Sequence, residues 1–356
     1  MNGSKRALWN ASLEELKSWC EEHGERGFRA RQIREWAGQH RVRGFDAMTN
    51  LPKRLRHELD QAWTLSSSSV SHASNDVDLT RKLLVRLADG GVIECVLIVE
   101  EDRRTLCLST QVGCAMGCVF CASGLDGVDR SLTTGEMIEQ MLHVTHLLPP
   151  NERLTHIVVM GMGEPLANLE ALLPALEFAT AKTGLGVSQR HVTISTVGLP
   201  KRIRQLAEAG KRYHLAVSLH ASNDRIRQQI VPTAEKVTLD EILAAADAFR
   251  QETGRQVTFE YVLLADINDE AHHAQELARR LRGRDAMINL IPFNPVSGLP
   301  YREPTSTRTK AFAETLREAG FTVKVRKRKG ARIDAACGQL RRSQRDSNEI
   351  VPLVSS

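Results

Sequence analysis

The second half of the chain alternates short apolar runs with amphipathic stretches, and this alternation restricts the fold more than any other feature. Six apolar runs of strand length occur, at 105–109, 156–160, 191–196, 215–219, 258–264 and 288–291. Stretches with helical spacing separate them, at 135–147, 167–181, 199–209, 239–251 and 274–282. Alternating strand–helix units build a parallel sheet with right-handed crossovers. Six units are too few to close an eight-stranded barrel, so we predict an α/β fold, an open (β/α)6 partial barrel.

The part of the chain before the barrel begins with a helical pattern. Ser12 and Glu15 have the spacing of a capping box, which marks a helix start. Further helical patterns follow at 30–40 and after Pro52. The tryptophans all fall in this part, where we expect them to form a small core rather than base-stacking platforms: Trp9, Trp19, Trp36 and Trp63. The pattern predicts a small helical N-terminal domain.

The segment between this module and the barrel predicts a β-hairpin. Two apolar runs, 82–87 and 92–99, flank an Asp-Gly-Gly turn at 89–91. A serine-rich stretch at 66–71 is expected to be a linker, and a last strand is expected at 322–325 after a helix at 309–319. The predicted divisions are a helical N-terminal accessory domain at 1–72, a β-hairpin extension at 73–104, a partial-barrel catalytic domain at 105–342 and a polar C-terminal tail at 343–356.

Composition limits where the protein can work. No run of about eighteen apolar residues occurs, so no membrane span is expected. The first nine residues lack the apolar core of a secretion signal. Seven cysteines are an odd number, which fits a reducing compartment better than a disulfide framework. We therefore expect a cytoplasmic protein.

The basic residues are concentrated in two stretches. Residues 26–43 hold six arginines and one acid, and residues 324–332 hold six basic residues and no acid. A single stretch of this kind is more often a solvated face. Two on one chain leave a polyanion partner and a solvated surface equally favoured.

Three cysteines close together carry the strongest chemical signal. Cys114, Cys118 and Cys121 have the spacing C-x3-C-x2-C. Three thiolates in one turn can hold three irons of a cubane cluster, which leaves the fourth iron open for a cofactor or substrate. A structural zinc site wants four ligands, usually in two pairs, and no second pair follows. Zinc and disulfides therefore stay open as the less favoured alternatives.

Polar residues follow the predicted strands at their carboxyl ends, where barrel-like folds gather reactive groups. Residues 161–165 read Gly-Met-Gly-Glu-Pro, and Glu164 is expected to face the barrel mouth as the partner of a cation. The third strand ends at Ser195, and the fourth at Ser218, Leu219 and His220, donors suited to a carboxylate and a ribose. Asn294, between two prolines after the sixth strand, is expected to hold an adenosine group.

These motifs resemble the radical S-adenosylmethionine (SAM) superfamily. Phe120 before the third cysteine strengthens the likeness, and residues 161–165 look like the glycine–glutamate element that contacts the SAM amino group there. The resemblance implies a [4Fe–4S] cluster on Cys114, Cys118 and Cys121, with SAM on its open iron. It also implies cofactor contacts from the polar strand ends: Gly163, Glu164, Ser195, Ser218, Leu219, His220 and Asn294.

Over nearly its whole length the chain resembles one group within that superfamily, the radical SAM rRNA adenine methyltransferases of the RlmN/Cfr group. Two features outside the cysteine motif carry this likeness. Cys107 lies seven residues before Cys114, and Cys337 lies in Ala-Ala-Cys-Gly-Gln-Leu at 335–340. The helical module matches as well, with Phe-Arg-Ala-Arg-Gln-Ile at 28–33.

The resemblance implies a reaction that uses two SAM molecules per turnover. One SAM methylates the thiolate of Cys337, and cleavage of the other gives a radical that removes hydrogen from this S-methyl group. The methylene radical then adds to an electron-poor adenine carbon. Glu94 matches the position of the family's proton acceptor for the ring proton. Cys107 attacks Cys337, which releases the methylated product and leaves a transient disulfide.

The implied substrate is an adenine of the peptidyl transferase centre of 23S rRNA, and for many members also an adenine beside the tRNA anticodon. Both require an exposed or flipped base, and the basic stretches then supply phosphate contacts. Pro165 favours methylation at C2 over the C8 branch, which confers antibiotic resistance. We also expect a monomer and an electron donor such as flavodoxin. A non-catalytic RNA-binding protein with a structural metal site is a further hypothesis, which predicts loss of Cys337 or of the cluster ligands.

Overall fold

The computed structural model describes residues 5–340, so the predicted tail at 343–356 lies outside the described residues. The N-terminal part is the predicted helical module, composed of β1 (Arg6–Ala7), α1 (Leu13–Glu22), α2 (Arg29–Gly38), α3 (Lys53–Ala62) and β2 (Trp63–Thr64). The capping box is confirmed, because the Ser12 hydroxyl accepts from the Glu15 N–H at 3.0 Å and the Glu15 carboxylate accepts from the Ser12 N–H at 2.6 Å. Three of the four tryptophans are buried and Trp36 is half-buried, which confirms the small core.

The remaining strands are β3 (Ser69–Asn75), β4 (Arg81–Arg86), β5 (Val92–Val99), β6 (Arg104–Cys107), β7 (Gln111–Gly113), β8 (Val128–Ser131), β9 (His156–Val159), β10 (Val192–Thr196), β11 (His214–Ser218), β12 (Val257–Leu263), β13 (Ala286–Pro292) and β14 (Thr322–Val325). The remaining helices are α4 (Thr134–Thr145), α5 (Leu169–Thr180), α6 (Pro200–Glu208), α7 (Asp224–Ile230), α8 (Leu239–Thr253), α9 (Ala271–Leu281) and α10 (Ser306–Glu318).

One ten-stranded sheet runs in the order β14-β13-β12-β11-β10-β9-β6-β5-β4-β3. From β14 to β6 every neighbouring pair is parallel, and from β6 to β3 every pair is antiparallel. The six predicted barrel strands are therefore confirmed, and β14 adds a seventh parallel strand at the edge. Helix α7 was not predicted, because its few residues carry only two isoleucines on one face, Ile226 and Ile230.

The serine-rich stretch is not the linker that its composition predicts. Strand β3 begins at Ser69 and pairs with β4, so the predicted domain boundary after residue 72 falls inside a strand, and the hairpin becomes a three-stranded antiparallel extension. Just before β3, the Glu139 carboxylate of α4 accepts hydrogen bonds from Ser66, Ser67 and Ser68. The serines serve as donors for a buried carboxylate, which a count of small polar residues does not reveal.

The helical module packs directly on the barrel. Trp9 and Phe178 of α5 have ring centroids 4.8 Å apart, and one continuous apolar core extends from the module through the barrel. Arg41 donates to the carbonyl oxygens of Thr145, Pro149 and Glu152, beyond the carboxyl end of α4. No helix in the described part of the chain combines the length and apolarity that a bilayer crossing needs.

Candidate active site

The cysteine motif lies in the connection between β7 and β8, a small hairpin that the apolar pattern did not predict. We call residues 114–121 the cysteine loop. The Cys114 N–H donates to Gly127 O at 2.8 Å, and the Cys121 N–H donates to Cys118 O at 3.0 Å. Gly117 allows the tight turn between the thiols, because its φ of +61° is in the region that favours glycine. All three thiols line one cleft of about 880 Å³ at the carboxyl ends of the barrel strands.

The three thiols fit a cubane iron–sulfur cluster better than a single metal ion. Within residues 5–340 no three Cys, His, Asp or Glu side chains converge closely enough to hold one ion. A mononuclear zinc site needs such convergence, whereas a cubane takes each thiolate on its own iron and keeps the sulfurs apart. Burial raises the pKa of Cys114 to about 11 and that of Cys118 well above its usual range. Thiolates buried in this way need a cationic partner.

Glu164 lies at the cleft wall, but its carboxylate already has backbone partners. Its oxygens accept from the Leu166 N–H at 3.0 Å and the Val197 N–H at 2.9 Å, which joins the ends of β9 and β10. The side chain is buried, and burial raises the pKa of this carboxyl. Gly163 has φ +101°, and a Cβ there would lie 2.6 Å from the side chain of Gln111. Glycine is therefore required at this strand end.

The polar groups of β10 and β11 meet a carboxylate that sequence reasoning missed. The hydroxyls of Ser195 and Ser218 are 3.5 Å apart, and Ser195 Oγ lies 3.5 Å from Glu260 Oε2. Glu260 on β12 is 5% exposed, lines the cleft and accepts from Asn289 at 3.2 Å. A charged residue inside the apolar run 258–264 was the available signal.

The side chain of His220 faces the cleft, whereas that of Leu219 does not. His220 lines the cleft with φ +58°, its Nδ1 accepts from the Val262 N–H at 3.1 Å, and its ring meets the Phe120 ring edge-on at 5.0 Å. Burial lowers the pKa of His220 to about 3, so the imidazole is neutral. The Leu219 side chain is packed in the apolar core. A cofactor contact from Leu219 would therefore have to come from its backbone.

Cys337 lies across the cleft from the cysteine loop. We call residues 330–340 the Cys337 loop. Asn294 Nδ2 donates to Cys337 O at 2.9 Å, and Asn294 Oδ1 accepts from Arg328 at 2.7 Å. Both ends of the Asn294 amide are thus engaged in holding the loop. The Ala122 N–H donates to Gly338 O at 2.7 Å, which ties the two loops together.

Cys107 lies near Cys337, beside a cation. The buried Cys107 thiol on β6 has its pKa raised to about 12 by burial and by the charge of Cys337, while the Arg326 guanidinium lowers that pKa. Arg326 Nη1 is 3.9 Å from Glu260 Oε1, so this cation is held between the carboxylate and the two thiols. All seven cysteines are free thiols in the structure.

Glu94 is buried on β5 at 2% exposure and forms an ion pair with Lys82 of β4. Glu94 Oε1 and Lys82 Nζ are 3.1 Å apart. Lys82 Nζ also donates to Asp334 O at 3.3 Å, in the Cys337 loop. Lys82 is the second residue that sequence reasoning missed, and nothing in the local pattern marked it.

The two basic stretches differ in their surroundings: one lines a cleft, and the other is partly engaged in contacts with backbone carbonyls. Residues 326–329 line a second cleft of about 520 Å³, which shares Cys337 and Asn294 with the first. In the N-terminal stretch, Arg29 and Arg34 donate to backbone carbonyls within the module, whereas Arg41 donates to carbonyls of the barrel. The exposed arginines of that stretch are Arg26, Arg31 and Arg43.

Comparison with known proteins agrees with this geometry. Residues 108–278 match the radical SAM superfamily, and residues 7–65 match the ribosomal RNA large subunit methyltransferase N-terminal domain. A Rhodopirellula baltica protein named "Probable dual-specificity RNA methyltransferase RlmN" is 54% identical over 340 residues, which cover 96% of this chain and 92% of the relative. A Synechocystis protein of the same name is 44% identical, with 99% of this chain and 100% of the relative covered.

A solved structure gives the same result. The crystal structure of a radical SAM methyltransferase from Sphaerobacter thermophilus has a TM-score of 0.91 and 42% identity, and covers 94% of this chain and 99% of that one. The predicted partial barrel, the [4Fe–4S] cluster with SAM as cofactors, and the enzyme class are thereby confirmed. The hypothesis of a non-catalytic RNA-binding protein is wrong. The chain belongs to the RlmN family of radical SAM RNA methyltransferases.

Proposed function

We propose that this enzyme methylates C2 of an adenine in the peptidyl transferase centre of 23S rRNA, and an adenine of tRNA next to the anticodon. The position of Cys337 carries the proposal. This cysteine lines both the cleft that holds the cysteine loop and the neighbouring basic cleft. A carrier thiol at that junction can take a methyl group from one side and deliver it to a base on the other. The relatives' name, with its dual specificity, supports both RNA classes.

The roles of the individual residues are proposed from the family resemblance together with their positions in the structure. Cys114, Cys118 and Cys121 would hold the cluster, and Cys337 would carry the methyl group as S-methylcysteine. Cys107 would resolve the protein–RNA adduct, because it lies near Cys337, and the Arg326 cation offsets part of the burial that raises the pKa of its thiol. When bound, the cluster and SAM supply the methyl groups and the radical that removes hydrogen from the carrier. Glu94 would accept the ring proton.

The cofactor contacts are proposed from the cleft lining. The residues that line the cleft together with the three thiols are Gly163, Glu164, Ser195, Ser218, His220 and Asn294. Leu219 would contribute only through its backbone. Because Nδ1 of the neutral His220 imidazole already accepts from Val262, its Nε2–H can donate a hydrogen bond without adding charge beside the positively charged sulfonium.

The RNA contacts are proposed from charge. Residues 326–329 beside Cys337 and the exposed arginines of the helical module would bind phosphates, because such contacts position RNA without reading its sequence. We further propose that the helical module, which ends before β3, forms the RNA-binding accessory domain, that the enzyme works as a cytoplasmic monomer, and that a flavodoxin-like protein supplies the electrons. Free thiols and a reducible cluster both require a reducing compartment.

The test is a reconstituted reaction. The full chain, loaded anaerobically with iron and sulfide, receives SAM, a chemical reductant and fragments of 23S rRNA or tRNA. Nucleoside mass spectrometry against methyladenosine standards should give 2-methyladenosine from both RNAs. Recovery of 8-methyladenosine would overturn the C2 assignment, and RNA without any methyladenosine would overturn the proposed function.

A further inference from the structure

Arg227 of α7 is the one arginine or lysine within residues 5–340 that is buried, at 2% exposure. Its guanidinium donates to three backbone carbonyl oxygens at the ends of β10 and β11, namely Val197 O, Ser218 O at 3.4 Å and Leu219 O at 3.2 Å. These oxygens satisfy N–H donors but carry no full charge that offsets the cation. Among the described residues no carboxylate forms an ion pair with Arg227, so its charge lacks a direct counter-ion.

A buried cation is costly unless a negative group compensates it. Burial lowers the pKa of Arg227 to about 10, and the charges of Cys118 and Asp224 raise it, so the guanidinium stays protonated at neutral pH. Asp224 lies in the first turn of α7, is half-buried and accepts from the Leu239 N–H at 2.7 Å. The remaining negative group is the thiolate that Cys118 becomes when it binds iron.

Helix α7 lies against the cysteine loop, which brings Arg227 to this thiol. The Val119 N–H donates to Ile230 O at 3.1 Å, so the loop and the end of the helix are joined directly. Arg227 supplies a positive charge at Cys118, whereas the other charges that act most strongly on this thiol are negative: those of Cys121, Cys114 and Glu164. The cation therefore faces a site that collects negative charge.

We propose that Arg227 is the buried counter-ion of the iron–sulfur cluster and that its charge favours the reduced state of that cluster. This inference rests on the proposed cluster ligands and not on the RNA substrate. Three thiolates outweigh the charge of the resting [4Fe–4S] core, so the loaded site is negative. One electron, taken from a reduced flavoprotein or a chemical reductant, makes the site more negative without making or breaking a bond. A fixed cation stabilises that state more, which raises the reduction potential.

Loss of the charge and loss of packing predict shifts of opposite sign. Without the cation, the more negative reduced state loses stabilisation and the reduction potential falls. A site that is merely loosened admits water, which favours the more highly charged state, so the reduction potential rises. The sign of the shift therefore separates an electrostatic role of Arg227 from a structural one.

The test compares two neutral variants with one charged variant. Arg227→Gln keeps N–H donors for the carbonyl oxygens, Arg227→Met keeps the length of the apolar stem, and Arg227→Lys keeps the charge. Arg225→Gln, at an exposed position of the same helix, is the matched control. Each full-length variant is loaded anaerobically with iron and sulfide, and its iron is counted. Electron paramagnetic resonance during a titration with a chemical reductant, without RNA or SAM, gives the reduction potential.

We expect both neutral variants to shift the reduction equilibrium at least tenfold toward the oxidised cluster, which is about 59 mV lower in potential for a one-electron couple. Arg227→Lys should stay within threefold of the unmodified equilibrium, and Arg225→Gln should match the unmodified enzyme. An unchanged or raised potential in the neutral variants would overturn the role of Arg227.

Iron retention decides the case in which the neutral variants hold no cluster. Retention of iron by Arg227→Lys alone would then support the counter-ion, whereas loss of iron from all three variants would overturn it. An unmodified enzyme that binds no cluster would overturn the proposed ligands and this inference together. An unmodified enzyme that holds the cluster but leaves RNA without methyladenosine would overturn only the proposed function.

Discussion

The cysteine loop and the Cys337 loop line one cleft, but they differ in the contacts that hold them. Near neighbours close the cysteine loop, such as Cys118 with Cys121 and Cys114 with Gly127, and the Val119 N–H also donates to Ile230 O at 3.1 Å. The Cys337 loop is held by partners far along the chain, since Ser123 bonds Leu340 and Asp78 bonds Gly330 across more than two hundred residues. The proposed cluster ligands are therefore held largely by local contacts, whereas Cys337, the proposed carrier, depends more on side chains from distant parts of the chain.

This difference matches what each loop must do. The cluster needs three fixed thiols, and a short hairpin with local bonds gives them. In its proposed role as carrier, Cys337 would have to meet a methyl donor, a base and a second thiol in turn. A loop held by a few separate hydrogen bonds, each contributing about 1 kcal/mol, can move without unfolding the barrel.

The largest expected effect on activity comes from the loss of one thiol of the cysteine loop. Cys118→Ala should abolish RNA methylation, because two thiolates cannot hold the cubane. Iron analysis and the methyladenosine assay check this. Cys20→Ala, which removes a thiol buried in the helical module, should keep both iron and activity within about twofold. Methylation by Cys118→Ala would contradict the local assignment.

The next largest effect concerns the thiol beside the carrier. Cys107→Ala should lower product by about 100-fold or more and trap RNA on Cys337, because no thiol remains to displace the product. Denaturing gels reveal the adduct. Cys95 is a buried neighbour of Cys107 on β5, so Cys95→Ala is the matched control and should turn over. Normal turnover by the Cys107→Ala variant would show that Cys107 does not resolve the protein–RNA adduct.

A smaller effect is expected where a single bond holds the carrier. Asn294→Ala should slow methylation of Cys337 at saturating SAM by about tenfold, the equivalent of one hydrogen bond. Ser123→Ala, which removes the bond to Leu340, should have a similar effect from the other side of the loop. A variant that raises the KM for SAM but keeps kcat would show that Asn294 acts only through its proposed cofactor contact and that its bond to Cys337 has no role in the rate.

The smallest expected effect is a change in the backbone dynamics of the Cys337 loop. Asp76→Ala should speed amide hydrogen exchange of residues 330–340 by about fivefold, since it frees the Arg332 N–H, and leave residues 114–121 unchanged. Hydrogen-exchange mass spectrometry of the full chain measures this. Asp60→Ala, which breaks an exposed ion pair with Lys5, should alter neither segment. Equal acceleration in both loops would mean that they are stabilised together.

The same contrast explains what the sequence could predict. The barrel strands appear in the sequence as regularly spaced apolar runs, and the three proposed cluster thiols lie in one short motif. Both could therefore be predicted from local sequence patterns. Glu260, Lys82 and Arg326 owe their importance to partners on other strands, which no local pattern reveals. Asn294 was predicted to hold the cofactor, and its bond to Cys337 depends on how the chain returns after β14.

The contacts around Glu139 have a further consequence. Its carboxylate accepts hydrogen bonds from the serines that follow the helical module, and Arg41 of the module donates to carbonyls at the carboxyl end of α4. The joint between the module and the barrel therefore has two contacts on the same helix. The exposed arginines of the module are thereby attached to the same barrel that carries Cys337. In the proposed function, an RNA bound to those arginines would have to span the distance to Cys337, so the joint would select among RNAs by their dimensions.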